Sequence, residues 1–128
     1  MWLVLLDDDL AVSRLAPDAQ IPSWASDAPG LLSITRTANE LTLVTAVAAV
    51  PDGVVSTPGW RAFALEGIFD FALTGILLAV LAPLADAGIG IFAFSTYETD
   101  YVMVRQADVG PATAALRAAG HEVSLPSD

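Results

Sequence analysis

An α+β fold of two sequential units is predicted by three observations. The run Phe71 to Ala85 carries apolar residues at helical spacing; short apolar runs joined by polar turns surround it; and a shorter set of strand-like runs precedes the stretch PDGVVSTPG, Pro51 to Gly59. Helix-period and strand-period runs in this order belong to sheets covered on one face by helices. At 128 residues the chain suits one compact domain or two small units sharing a core.

Taken in order, Leu3 to Leu6 and Leu10 to Leu15 flank Asp7, Asp8 and Asp9, which predicts a strand, a solvated acidic turn and a returning strand. Pro17 to Gly30 is rich in proline, serine and aspartate and reads as a loop with one helical turn at Ser23 to Ser26. Leu31 to Thr35 and Leu41 to Val47 form a second strand pair around the turn Thr37, Ala38 and Asn39. The proline and glycine content of Pro51 to Gly59 marks the strongest break, so the expected units are residues 1–57 and 58–128.

Beyond the break, Trp60 to Glu66 alternates as a strand. Asp70 or Thr74 is the expected cap of the following helix, in which Ile76, Leu77, Val80, Leu81 and Leu84 form one buried stripe. Pro83 falls in its last turns and Gly88 supplies the left-handed stop. Ile89 to Ser95 and Tyr101 to Arg105 are strands joined at Tyr97, Glu98 and Thr99. Asp108 is the expected cap of a last helix that Gly120 ends, and His121 to Leu125 closes the chain as a strand. The second half thus reads βαββαβ, a ferredoxin-like unit. At an offset of sixty, Ile34 and Thr35 lie over Phe94 and Ser95, and Glu40 and Leu41 over Asp100 and Tyr101, so the first half reads as an abbreviated copy without the long helix.

Composition narrows the function. Fifteen acids against five arginines give a net charge of -10, which opposes phosphate backbones and anionic membranes. Nucleic acid is not an expected partner. The apolar run Phe71 to Ala85 is too short for the ~20 residues of a membrane span, and the start MWLVLLDDD has no basic leader, so neither a membrane nor a signal peptide is expected. Without cysteine and with one histidine the chain has no expected metal site or cofactor.

Two features carry chemistry. The backbone amides at the helix entry, around Leu73, Thr74, Gly75 and Ile76, together with the positive end of the helix dipole, suit a carboxylate. Gly75 either lets a ligand approach the backbone or permits close packing of helix on sheet. At the hairpin, Asp100 with Thr96 and Tyr97 suits an ammonium or guanidinium group; otherwise Asp100 is a turn-stabilising acid. Ser95, Asp100 and His121 make a triad only on paper, since no nucleophile elbow surrounds the serine. No catalytic residues are expected.

The pattern FALTGILLAVLAPLADAGIGIFAFSTYETDYVMV, with GWRAFALEG before it and ALRAAGHEV after it, resembles the ACT domain of the CASTOR-type amino-acid sensors and their small bacterial relatives. ITRTANELTLV resembles their N-terminal unit. The resemblance implies two ACT-like units and a cytoplasmic, non-enzymatic regulatory protein that binds a free amino acid or similar zwitterion. Its implied contacts are Leu73, Thr74, Gly75 and Ile76 on one side and Thr96, Tyr97 and Asp100 on the other. Small units with open sheet edges are expected to form a homodimer, and the regulated protein partner is not named by the sequence. The competing class is a ligand-free interaction or assembly module built on the same hairpin.

Overall fold

In the computed structural model, which describes residues 1–67 and 75–126, the first strand does not pair with the second. Trp2–Leu5 (β1) runs antiparallel to Val55–Leu65 (β5) on one side and parallel to Glu122–Ser124 (β8) on the other. Leu10–Leu15 (β2) pairs with Leu41–Ala46 (β4) and with β5. The expected hairpin across the three aspartates is therefore absent. The chain divides into two compact units, Asp8–Trp60 and Met1–Asp7 with Arg61–Asp128. The first seven residues thus belong with the C-terminal half.

The N-terminal unit orders its strands β3-β4-β2-β5, with Ser33–Arg36 as β3 and only residues 55–60 of β5. Its helical layer is the single turn Ser23–Ser26 (α1), which lays Ala25 and Trp24 on Leu41 and Leu43. Where a second helix would follow β4, the chain makes only the 3₁₀ turn Val47–Ala49. Asp8 is more than a solvated acid, because its Oδ2 accepts the Leu31 N–H at 2.9 Å. Gly30 beside it has φ +80°, and an added Cβ would lie 2.2 Å from that oxygen.

The break read at Pro51 to Gly59 ends sooner than expected, and β5 runs through Pro58 and Gly59. Leu10 pairs with Trp60 but Val12 with Thr57, so β5 carries one extra residue. Gly59 at φ 85° supplies the left-handed residue of such a bulge. Proline and glycine mark a bulge here, not a loop.

The C-terminal unit orders its strands β6-β7-β5-β1-β8, with Phe92–Ser95 as β6 and Asp100–Arg105 as β7. This is the ferredoxin-like order with one strand, β1, inserted beside the last. Ile76–Asp86 (α2) and Val109–Ala118 (α3) cover one face. Val80 and Leu84 are fully buried against Leu3, Phe63, Val102, Val104 and Leu116, while Ile76, Leu77 and Leu81 pack at the margin, so the expected stripe is present. Both helices end alike. Gly88 and Gly120 take positive φ, Ile89 N bonds Leu84 O at 3.0 Å, and His121 N bonds Leu116 O at 3.1 Å. Asp108 holds the N-cap position of α3 as expected, but it also ends the 3₁₀ turn Gln106–Asp108, and its side chain makes no cap bond.

The repeat is real, with a different offset. From β3 to β6, from β4 to β7 and from the first 3₁₀ turn to the second, every boundary moves by fifty-nine residues. The sequence match at sixty aligned like side chains one position out of step with the strands.

Pro83 has no N–H to give to the carbonyl of Ala79, its partner one turn back. His121 fills the gap, its Nε2 lying 2.8 Å from Ala79 O, which makes Nε2 the protonated nitrogen. His121→Ala is expected to destabilise the protein by about 1–2 kcal/mol, the range for a hydrogen bond whose loss strands a partner. In a Pro83→Ala background the same change should cost less than half as much, since residue 83 then donates itself. Urea denaturation of the four proteins checks this; equal costs in both backgrounds would remove the link.

Candidate functional site

The hairpin between β6 and β7 is built by its threonines. Thr96 N donates to Thr99 O at 2.8 Å, and Thr99 N donates to Thr96 Oγ1 at 3.3 Å. Below the turn, Ser95 and Asp100 pair across the strands, and the serine hydroxyl donates to Asp100 Oδ1. Val102 and Val104, two and four residues beyond Asp100, belong to the core under the helices. Strand alternation therefore puts Ser95 and Asp100 on the helix-covered face, at its open end. Phe94 and Tyr101 stack on the opposite face with ring centroids 5.3 Å apart. Tyr97 at the tip is 83% exposed.

A belt of hydrogen bonds fixes what else reaches this end of the C-terminal sheet. Thr99 Oγ1 donates to the carbonyl of Leu65, the last residue of β5, at 2.8 Å. Glu66 N donates to Trp2 O at 2.9 Å, and Glu122 N donates to Met1 O at 2.9 Å. His121, next to Glu122, reaches Ala79 in the first turn of α2. The hairpin, the exit of β5 and the first turn of α2 accordingly share one end of the sheet.

Gly75 stands at the N-cap of α2 with φ 80° and no side-chain cap bond. Among the described residues, an added Cβ would meet nothing within 4 Å. Its left-handed conformation calls for glycine. Ile76 is half-buried on the core margin. Leu73 and Thr74, and the expected cap Asp70, lie outside the described residues.

The structure thus brings Thr96, Tyr97 and Asp100 together on one hairpin and sets Gly75 and Ile76 at the same end of the unit. A carboxylate and a helix N-terminus at one end of a unit supply groups of the kind that hold a molecule carrying both charges. The imagined triad fails, because Ser95 bonds Asp100 directly while His121 Nε2 is committed to Ala79 O. His121 matters for another reason, as the link from the closing strand to α2. The signal for it was present in sequence: a proline four residues after Ala79 leaves a helix carbonyl in need of a donor. Among the described residues no helix is long and apolar enough to cross a membrane.

Comparison with known proteins agrees with this architecture. The ACT domain family model matches residues 55–118, starting at the first residue of β5, and a second model, of an N-terminal domain family, matches residues 8–53. A solved protein of Agrobacterium tumefaciens is 40% identical and superposes with a TM-score of 0.91, covering 97% of this chain and 92% of that one. The regulatory subunit of aspartate kinase from Thermus thermophilus, in its ligand-free form, is 12% identical with a TM-score of 0.63 over 92% of this chain and 97% of that one, a likeness of fold. Human CASTOR3P is 46% identical over 37 residues, 29% of this chain, and the chain spans 23% of that protein's length.

Thr99→Val is expected to release the turn of the hairpin from the end of β5. A lost hydrogen bond of about 1 kcal/mol corresponds to amide exchange at Thr96 roughly fivefold faster. Thr99→Ser, which keeps the hydroxyl, should exchange like the parent; an unchanged rate in Thr99→Val would show that this bond does not hold the turn.

Proposed function

The chain belongs to the ACT domain family, and on that premise we propose that it is a non-catalytic sensor module that binds a free amino acid at the open end of its C-terminal unit. The observation that carries the reading is the Asp100 carboxylate, held by Ser95 on a hairpin that is tied to the exit of β5. Its counterpart is the α2 entry at Gly75, which among the described residues has no side-chain cap bond. Asp100 receives the ligand's cationic group and the amides at Gly75 and Ile76 its carboxylate. Thr96 and Tyr97 frame the cationic end. An acidic protein of net charge -10 also favours the approach of a cationic group over an anionic one.

The short match to CASTOR3P supports placing the chain near the CASTOR-type sensors. The likeness of fold to aspartate kinase regulatory subunits supports a regulatory role. In this reading the protein works as a cytoplasmic homodimer and signals by population shift, the ligand favouring the arrangement for which it has the higher affinity.

A thermal-shift screen against the twenty amino acids tests the reading. One of them should raise Tm in a saturating manner, equivalent to about 2.7 kcal/mol at a hundredfold excess over Kd. Asp100→Asn should weaken that ligand about 10- to 100-fold, the range of a charge-assisted hydrogen bond of ~1.5–3 kcal/mol. A shift that survives Asp100→Asn would move the site elsewhere, and no shift with any amino acid would favour a ligand-free assembly module.

A further inference from the structure

An aspartate can close on the chain that carries it. The main-chain nitrogen of the next residue attacks the carbon of the protonated carboxyl, an N–Cγ bond forms, and the hydroxyl and the amide hydrogen leave as water. Water then opens the five-membered imide at either carbonyl. Opening at Cγ restores aspartate; opening at the main-chain carbon leaves isoaspartate, with Cβ and Cγ now in the backbone. The closure needs an exposed carboxyl and a successor amide that is neither spent on a hydrogen bond nor screened by a Cβ.

The fold sorts the chain's acids on that requirement. Ala19 N, after Asp18, donates to Ala16 O at 3.0 Å; Ala28 N, after Asp27, to Ala25 O at 3.2 Å; Ala87 N, after Asp86, to Pro83 O at 3.1 Å. Asn39, the one asparagine, could close in the same way with loss of ammonia, but Glu40 N donates to Thr37 Oγ1 at 3.1 Å. Each of these amides must give up a bond before it can attack, and each belongs to a residue with a side chain.

Asp52–Gly53 is the chain's one Asp-Gly pair. It lies between the 3₁₀ turn Val47–Ala49 and the start of β5 at Val55, and Pro51, Asp52 and Gly53 are all exposed. The 3₁₀ turn closes at Val50 N on Val47 O, before the pair is reached. Among the described residues neither the Asp52 carboxyl nor Gly53 N makes a hydrogen bond. Gly53 has φ +88°, and an added Cβ would meet nothing within 4 Å among the described residues. The left-handed turn therefore calls for the one residue type that leaves its own nitrogen unscreened.

We infer that Asp52–Gly53 is the site at which this chain isomerises spontaneously to isoaspartate, singled out by its exposed carboxyl and unbonded successor amide. The imide removes one negative charge from a net charge of -10, and its hydrolysis returns it. The added backbone atom falls outside the ladders of β4 and β5, so the fold is kept while the carboxylate moves.

The folded chain is held for weeks in warm neutral buffer made with heavy-oxygen water, then digested in ordinary water. Mass spectrometry with electron-transfer fragmentation places the label and tells isoaspartate from aspartate. Residue 52 should gain heavy oxygen and isoaspartate ahead of Asp18, Asp27 and Asp86, while Asn39 keeps its amide. In urea that lead should narrow, because the amides of Ala19, Ala28 and Ala87 are released. Asp52→Glu keeps the charge but closes only through a slower six-membered ring, so it should lose the uptake at residue 52 with Tm unchanged. The proposal is overturned by any of three results: no uptake at Asp52, another acid ahead of it in the folded chain, or a lead of equal size in folded and unfolded chains.

Discussion

The C-terminal unit depends on one strand that arrives from the far end of the sequence. In a plain βαββαβ sheet the last strand lies against the first. Here β1 lies between them, and β8 pairs with β1 alone in the observed order. Leu3 and Leu5 enter the core under α2 and α3 from this strand. Fully burying two such side chains is worth roughly 3–6 kcal/mol, a large share of the ~5–15 kcal/mol that holds a small domain. β1 also supplies the carbonyls that receive Glu66 N, and the residue before it the carbonyl that receives Glu122 N. Those bonds set the end of the sheet where the hairpin and the α2 entry stand. The site therefore rests on residues a hundred positions away from it.

The repeat shows how one plan can reach two ends. Both units keep the hairpin, its threonine closure and the 3₁₀ turn after it. They differ in the helices, where the N-terminal unit keeps one turn in place of α2 and nothing in place of α3. With so little apolar cover, this unit gains from ties made by polar side chains, and it has several: Asp8 on Leu31 N, Arg36 on Pro17 O and Ala19 O, and Ser13 Oγ on Ser56 Oγ at 3.1 Å. The C-terminal unit has two helices to hold it and can leave a carboxylate at the end of its sheet.

Much of this was legible in the residues. The stripe from Ile76 to Leu84, the glycine stops at Gly88 and Gly120 and both hairpins follow from local periodicity and turn chemistry, which neighbouring residues encode together. The β1 pairing was not legible, because Leu3 to Leu6 has the same alternation whichever strand it joins. Register and partner come from tertiary contacts that a single sequence does not display. Gly59 misled for a related reason: the same dipeptide chemistry suits a loop and a bulge, and only the partner strand decides. At the site, Asp100 and Gly75 stood out by residue type. His121 and Arg36 did not, since each acts on a backbone carbonyl distant in sequence.

The strength of the tie at Thr99 bears on how such a module can respond to a ligand. One neutral hydrogen bond contributes about 1 kcal/mol, so this bond favours the tied turn over the released one by a factor of roughly five, beyond the pairing of β7 with β5. That is enough to keep it formed and too little to lock it. A ligand contacting both Asp100 and the α2 entry would add a charge-assisted bond worth ~1.5–3 kcal/mol at one end alone. Added to a tie of that size, it raises the ratio of closed to open turn by one to two orders of magnitude. In the N-terminal unit Arg36 ties the hairpin to the loop after β2 with two charged hydrogen bonds inside the chain.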